Sequence, residues 1–290
     1  MMVAVTRVGA TRVGATRVGA ARNGTPRANP TRMPPAPRPP RPRRRGRVAV
    51  MVTSAALVGV AVVTLSVGLA DLDQPPIEVP AGIPPGLGAP VPVIDINAPG
   101  RTASLLRDWA GPLATPIGVS VTALEAYGYA ARVMEQTRPE CGIGWTTLAG
   151  IASVESKHGT HGGARVGDSG QVDPPIRGIP LDGSPGVAEI PDTDDGTSDG
   201  DATHDRAMGP LQFIPETWKR WGVDANGDGV ADPDNIDDAA LTAARYLCAR
   251  GGDLTTADGW QKALMAYNLS GEYLMEVRDR AAAYSVGIRR

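Results

Sequence analysis

The chain is 290 residues long, 42% hydrophobic and 21% charged, enough for one ordinary domain with appendages. Its net charge of −2 conceals an asymmetry: residues 1–47 carry twelve arginines and no acidic residue, while residues 48–290 hold 17 basic and 31 acidic groups. That division excludes a single uniformly folded unit, and two cysteines with three histidines exclude disulfide-scaffold mini-proteins and most multi-ligand zinc modules.

The sequence opens on a pentapeptide, TRVGA, repeated at Thr6–Ala10, Thr11–Ala15 and Thr16–Ala20, too short to bury a face of its own. Eight prolines among arginines follow between Pro26 and Pro42, and the run ends Arg43-Arg44-Arg45-Gly46-Arg47. Residues 1–47 are therefore expected to be disordered, since such a segment buries too little apolar surface to offset its ordering entropy. Clustered arginine also suits nucleic acid. The apolar run directly after the arginines makes that the weaker reading, and no nucleic-acid partner is expected.

Val48–Ala70 is 23 residues without a charge. As a helix it covers roughly 34 Å, enough to span a bilayer core. Arginines before it and Asp71 and Asp73 after it place the amino terminus in the cytoplasm. Gly68-Leu69-Ala70 resembles a small-residue cleavage site, and cleavage after Ala70 would release the rest of the chain. The apolar run is longer than a usual signal-peptide core, which favours an uncleaved single-pass anchor. Either way the remainder faces away from the cytoplasm. Residues 71–99, with eight prolines, read as an extended spacer. The folded domain is expected over residues 100–290.

Within it, apolar residues recur at three- and four-residue spacing over Val121–Gln136 and Trp145–Lys157; Asp237–Arg250 and Trp260–Tyr267 are rich in Ala and Leu, and Glu272–Tyr284 closes the chain. No stretch alternates with period two, so the domain is predicted to be mostly α. A long acidic loop, Gly162–Asp205, separates the helices. Structureless loops of that length are uncommon in compact domains and tend to be functional.

Glu155 follows Ile151 by four residues and Leu148 by seven, so it projects from the apolar face near its helix's carboxyl end. Both surroundings disfavour its charged form, the condition for a proton donor near neutral pH. A helix-end glutamate turned to solvent is the blander reading, and from this helix alone the stronger one. His158 and His161 stand three and six residues further on, but no second Glu-x-x-His is present, so they read as polar loop residues and not as metal ligands. Gln212, in the apolar stretch Ala207–Trp218, is equally a core residue or a ligand-facing amide. Asp224, Asn226, Asp228, Val230 and Asp232 follow the calcium-loop pattern, broken at the twelfth position by Asn235 in place of glutamate; an Asp/Gly turn cluster is the alternative. Tyr267-Asn268 ends a helix, where Asn is commonly a cap. Cys141 and Cys248, both outside the cytoplasm, are expected to pair as a disulfide.

Together, Leu148–Gly159, Asp205–Trp218, Val223–Asp232 and Ala266–Asn268 resemble lytic murein transglycosylases, in particular the membrane-bound lytic transglycosylase B-like group in the form common in high-GC Gram-positive bacteria. The resemblance covers Thr122 to Tyr284. It implies a lysozyme-like α domain, a carbon–oxygen lyase cutting the β-1,4 bond between N-acetylmuramic acid and N-acetylglucosamine in peptidoglycan strands. Glu155 would be its single catalytic acid and base, forming 1,6-anhydromuramyl ends, with Gln212, Tyr267 and Asn268 holding the sugar. No cofactor is implied for the chemistry, and calcium only as a structural ion. The alternatives are a hydrolytic muramidase, whose second carboxylate could lie in the acidic loop, and a non-catalytic, calcium-stabilised wall-binding module. Trp145, Trp218, Trp221 and the six tyrosines are the candidate sugar-stacking surfaces.

Overall fold

A computed structural model describes residues 77–290; the arginine-rich tail, the apolar run 48–70 and the start of the spacer lie outside the described residues. Among those described, no helix is long and apolar enough to cross a membrane. In chain order they form α1 (Arg107–Ile117), α2 (Val121–Thr137), α3 (Trp145–Ser156), β1 (Arg165–Val166), β2 (Val172–Asp173), β3 (Arg177–Pro180), β4 (Arg206–Met208), α4 (Pro215–Trp221), α5 (Ile236–Gly251), α6 (Ala257–Tyr267) and α7 (Gly271–Ser285). The domain is mostly helical, as the apolar spacing predicts.

Most helix starts are written locally. Ser120, Asn235, Thr256 and Ser270 each accept a backbone N–H of the first turn of α2, α5, α6 and α7, and Pro215 opens α4. Helix α1 carries no such signature, since Pro112 and Pro116 lie inside it. Each removes a backbone donor. The helix persists because Ala110, Ala114 and Ile117 are buried, and it packs against α2.

Helix α3 is the central element, buried on nearly every side from Trp145 to Ser153. It lies along α7, while α2 packs along α5 and α5 along α6. Helices α3 and α7 approach closely at Gly150, where a Cβ atom would sit 2.8 Å from the Val277 carbonyl oxygen. Any side chain there would push α7 away from Glu155's helix.

The acidic insertion is folded, contrary to expectation. β1 pairs antiparallel with β2 (Arg165 opposite Asp173), and β3 with β4 (Arg177 opposite Met208). Its carboxylates are spent on its own backbone. Asp192 accepts the N–H groups of Asp195 and Gly196 at 2.9 and 3.0 Å, and fully buried Asp205 accepts that of Thr193 at 2.9 Å. Short acidic side chains stabilise turns in this way, so a composition that looks structureless is ordered by local hydrogen bonds.

The spacer differs too. Residues 77–99 carry no helix or strand, but they lie against the domain instead of standing off it. Trp145 Nε1 donates to the Ala89 carbonyl at 3.0 Å, Thr146 Oγ1 to Gly86 at 2.7 Å, and the Tyr129 hydroxyl to Ile96 at 3.0 Å. Ile83, Val91, Ile94 and Ile96 pack on the core. Extended backbone has free carbonyls, and these helices present donors to them.

Cys141 and Cys248 form the expected disulfide, with Cα atoms 5.4 Å apart across 107 residues of sequence. It ties the turn after α2 to the end of α5. A Cys141→Ser/Cys248→Ser variant is expected to lose about 4 kcal/mol of unfolding free energy from loop-closure entropy. Urea melts of the oxidised protein and the variant measure this; coincident midpoints would show that the unfolded chain is already restrained.

Candidate active site

Helix α3 ends abruptly, and that ending builds the site. Lys157, His158 and Gly159 all take left-handed backbone angles, with φ of 54°, 59° and 78°. The His158 N–H reaches back to the Ala152 carbonyl at 2.9 Å, closing the helix. Ser156 Oγ accepts the Gly159 N–H at 2.7 Å and donates to the Pro210 carbonyl at 2.6 Å. This fastens the helix end to a tight turn in which Met208 and Phe213 exchange backbone hydrogen bonds of 2.8 and 3.0 Å. Gly209 in that turn has φ +71°, and a Cβ on it would fall 1.8 Å from the Pro233 oxygen, so only glycine fits. Gln212 closes the turn at φ +52°, an uncommon conformation for a residue with a side chain, of a kind that concentrates at functional sites.

Between these parts lies a cleft of about 580 Å³. The carboxyl-terminal turn of α3, strand β3, Gln212, Asn268 and the start of α7 line it. Glu155 is half-buried in its wall, and the Tyr273 hydroxyl donates to Glu155 Oε1 at 2.6 Å. Burial pushes the Glu155 carboxyl up to about 7; the Tyr273 hydrogen bond works against that rise and the negative charge of Glu276 adds to it. At neutral pH the group is therefore divided between acid and carboxylate. The side chain lies partly enclosed in the cleft wall and is not turned out to solvent.

Gln212 also lines the cleft, its Nε2 donating to the Gly209 carbonyl at 2.8 Å and its Oε1 beside Gly178 of β3. Asn268 is only 3% exposed, and its Nδ2 has no partner among the described residues. A buried, unpaired amide donor on a cleft wall is costly unless a ligand satisfies it. Tyr267, expected in the same role, is not brought to the cleft. It is fully buried and donates to the Leu211 carbonyl at 2.8 Å, its ring nearly parallel to that of Tyr273. It packs behind Tyr273, which does line the cleft.

Tyr273 itself carries no signal in the sequence. It lies 118 residues from Glu155, and no spacing rule links the two. A Tyr273→Phe variant removes a hydrogen bond to the charged form, so the Glu155 carboxyl rises further above 7. The alkaline limb of its pH–rate profile should move to higher pH, checked by kcat/KM across pH 5–9. An unmoved limb would detach Tyr273 from the titrating group.

His158 is not a solvent-facing loop residue. It is 7% exposed, with Nδ1 3.2 Å from the Tyr127 hydroxyl and Nε2 3.0 Å from that of Tyr284. Burial first, then the nearby Arg280 and Arg289, push it down to about 3, so the ring is neutral. Tyr284 also meets Ser153 Oγ at 3.0 Å, and Arg280 reaches the same oxygen at 3.2 Å. Both ring nitrogens are thus engaged within the protein. His161 lies exposed on the cleft lip.

The three candidate stacking tryptophans do not line the cleft. Trp145 and Trp218 are in the core, at 2% and 9% exposure, and Trp221 packs edge-on to Tyr246 with Arg250 above its ring. Among the described residues, Tyr273 and Tyr284 are the tyrosines that line the cleft.

The side chains of the calcium-pattern loop are engaged by local donors. Asp224 accepts the N–H groups of Gly227 and Gly229 at 2.7 and 2.8 Å, Asp228 binds Asn226 Nδ2 and the Val230 N–H, and Asp232 binds Gln171 and the Asp234 N–H. Asn235 is the amino-terminal cap of α5, which is why no glutamate stands there. Asp238 holds three backbone N–H groups, and Asp237 faces Arg101. Among the described residues no three His, Cys, Asp or Glu side chains come together as metal ligands. The turn is held by the protein's own donors.

Comparison with known families gives one match: residues 202–263 match the family described as Transglycosylase SLT domain. No protein of established function and no solved structure matches the chain significantly. The matched segment contains Gln212 and the Asp224–Asp232 turn. Glu155, Asn268 and Tyr273 lie outside it, and the fold brings them to the same cleft.

Proposed function

We propose that this chain is a peptidoglycan lytic transglycosylase of the membrane-bound lytic transglycosylase B-like group, cutting the β-1,4 bond between N-acetylmuramic acid and N-acetylglucosamine. The observation that carries this is the Glu155 carboxyl, able to hold its proton near neutral pH, in a cleft shared with Gln212 of the transglycosylase-matched segment.

Protonated Glu155 donates to the glycosidic oxygen as the C1–O4 bond breaks, and the N-acetylglucosamine leaves as an alcohol. The carboxylate so formed takes the proton of the muramyl C6 hydroxyl, and that oxygen bonds to C1. The product is a 1,6-anhydro ring, no water is consumed, and Glu155 ends protonated as it began. A group poised near 7 suits both halves, because neither protonation state is far out of reach. Tyr273 fixes one carboxyl oxygen and leaves the other for the substrate. Asn268 Nδ2 offers the sugar a donor, and Gln212 a polar wall. The domain works outside the cytoplasm, facing the wall.

Hydrolysis is the second reading, favoured by Glu272 and Glu276 lining the same cleft. The test is mass spectrometry of fragments released from purified peptidoglycan by the full chain. Anhydromuramyl ends are expected. Reducing ends would instead assign water as acceptor and one of those glutamates as its base. No fragments would leave a wall-binding module.

A further inference from the structure

The cleft reverses the charge of the domain around it. Five of the 17 basic groups of residues 48–290 line it (Lys157, Arg177, Arg280, Arg289 and Arg290), against three of the 31 acidic ones. Three of the five are matched: Arg177 with Asp234 at 2.7 Å, Arg280 with Glu276 at 2.7 Å, and Arg290 with Asp279 at 2.9 Å. Arg289 and Lys157 are not; among the described residues neither pairs with a carboxylate. Arg289 lies across Gly118, its Cδ 2.8 Å from where a Cβ would stand, so the bare backbone there makes room for its side chain. Arg280, Arg289 and Arg290 thus share one cleft with Ser153 and Glu155. Burial lowers His158 first, and the positive charges of Arg280 and Arg289 add to that lowering.

Gathering like charges beside a cleft in an otherwise acidic domain is unfavourable without an anion to receive them. The planar, forked guanidinium matches a carboxylate in particular. A glycan backbone of N-acetylated sugars offers no such charge. Peptides carried on the muramyl lactyl group do, at their side-chain and terminal carboxylates. We infer that the Arg289 side of the cleft binds a carboxylate of the peptide substituent on the glycan, making the stem part of what the site recognises. This rests on the glycan-cleaving reading for its choice of ligand, and it goes beyond that reading in assigning a charge-reading subsite.

The test is binding, so that it does not depend on turnover. The full chain carrying Glu155→Gln is titrated with a soluble muropeptide tetrasaccharide, and with the same compound after its stem carboxyls are converted to amides. About tenfold weaker binding of the amidated ligand is expected, the loss typical of one charge-assisted pair. Adding Arg289→Gln should weaken the native ligand by the same factor and leave the amidated one unaffected; Arg289→Lys should recover part of the loss. Equal binding of the two ligands, or binding of neither, overturns the inference, as does an Arg289→Gln protein that retains the preference. Arg289-dependent binding by a chain whose parent shows no cleavage would keep this inference and remove the transglycosylase one.

Discussion

Replacing Glu155 by glutamine is expected to lower glycan cleavage by about 10³-fold while making the protein more stable at neutral and alkaline pH. The rate loss is the usual contribution of a positioned proton donor, and glutamine keeps the shape and the oxygen that Tyr273 binds. The stability gain has a separate cause. The carboxyl sits at about 7 in the fold against 4.5 in a free glutamate. A group whose folded value is raised holds its proton more tightly when native, so stability falls as pH climbs between those two values. The carboxyl costs at most about 3 kcal/mol above pH 7 and nothing below pH 4. Urea melts at pH 4 and pH 8 should therefore coincide for parent and variant at the acid end and separate at the other. A variant that cleaves normally would remove Glu155 from the chemistry. A variant destabilised at both pH values would mean that the carboxylate is structural.

The largest expected loss of stability is at Arg101, far from the cleft. Its guanidinium binds Asp237 through two hydrogen bonds of 2.6 and 2.9 Å, donates to the Thr122 carbonyl at 3.0 Å, and pairs with Glu125. Glu125 and Asp237 are both fully buried. Arg101→Met would strand two carboxylates in the interior, and breaking a buried pair from one side typically costs 3–5 kcal/mol. That corresponds to a fall in Tm of roughly 10 °C for a domain of this size. Burial already holds Asp237 above the ordinary range, even with Arg101 opposing the rise. Without the arginine it rises further, so the deficit should shrink as pH falls toward 5 and the carboxylate takes up a proton. Calorimetric Tm values at pH 5 and 8 measure this. A uniform small loss would show that water or Arg107, 3.3 Å from Glu125, takes over the pairing.

What the sequence determined by itself were the features whose causes are local. Helices α2, α3, α5, α6 and α7 follow from apolar spacing, and most of their starts from capping side chains a few residues away. Glu155 could be singled out because four- and seven-residue offsets put it on the apolar face of its own helix. The cysteine pair follows from there being only two outside the expected membrane span. Tertiary structure decided whatever depends on partners far along the chain. Tyr273 reaches Glu155 across 118 residues, Arg101 reaches Asp237 across 136, and His158 finds hydrogen-bond partners in Tyr127 and Tyr284, 31 and 126 residues away. The same holds where packing overrode local preference: α1 forms despite two prolines, and the acidic insertion folds because its carboxylates find backbone donors. Tyr267 and the carboxylates of the calcium pattern turn to the protein's own groups for a related reason. Residue type and spacing say which groups are available, and burial and hydrogen-bond partners decide whether those groups face a ligand or the protein's own backbone.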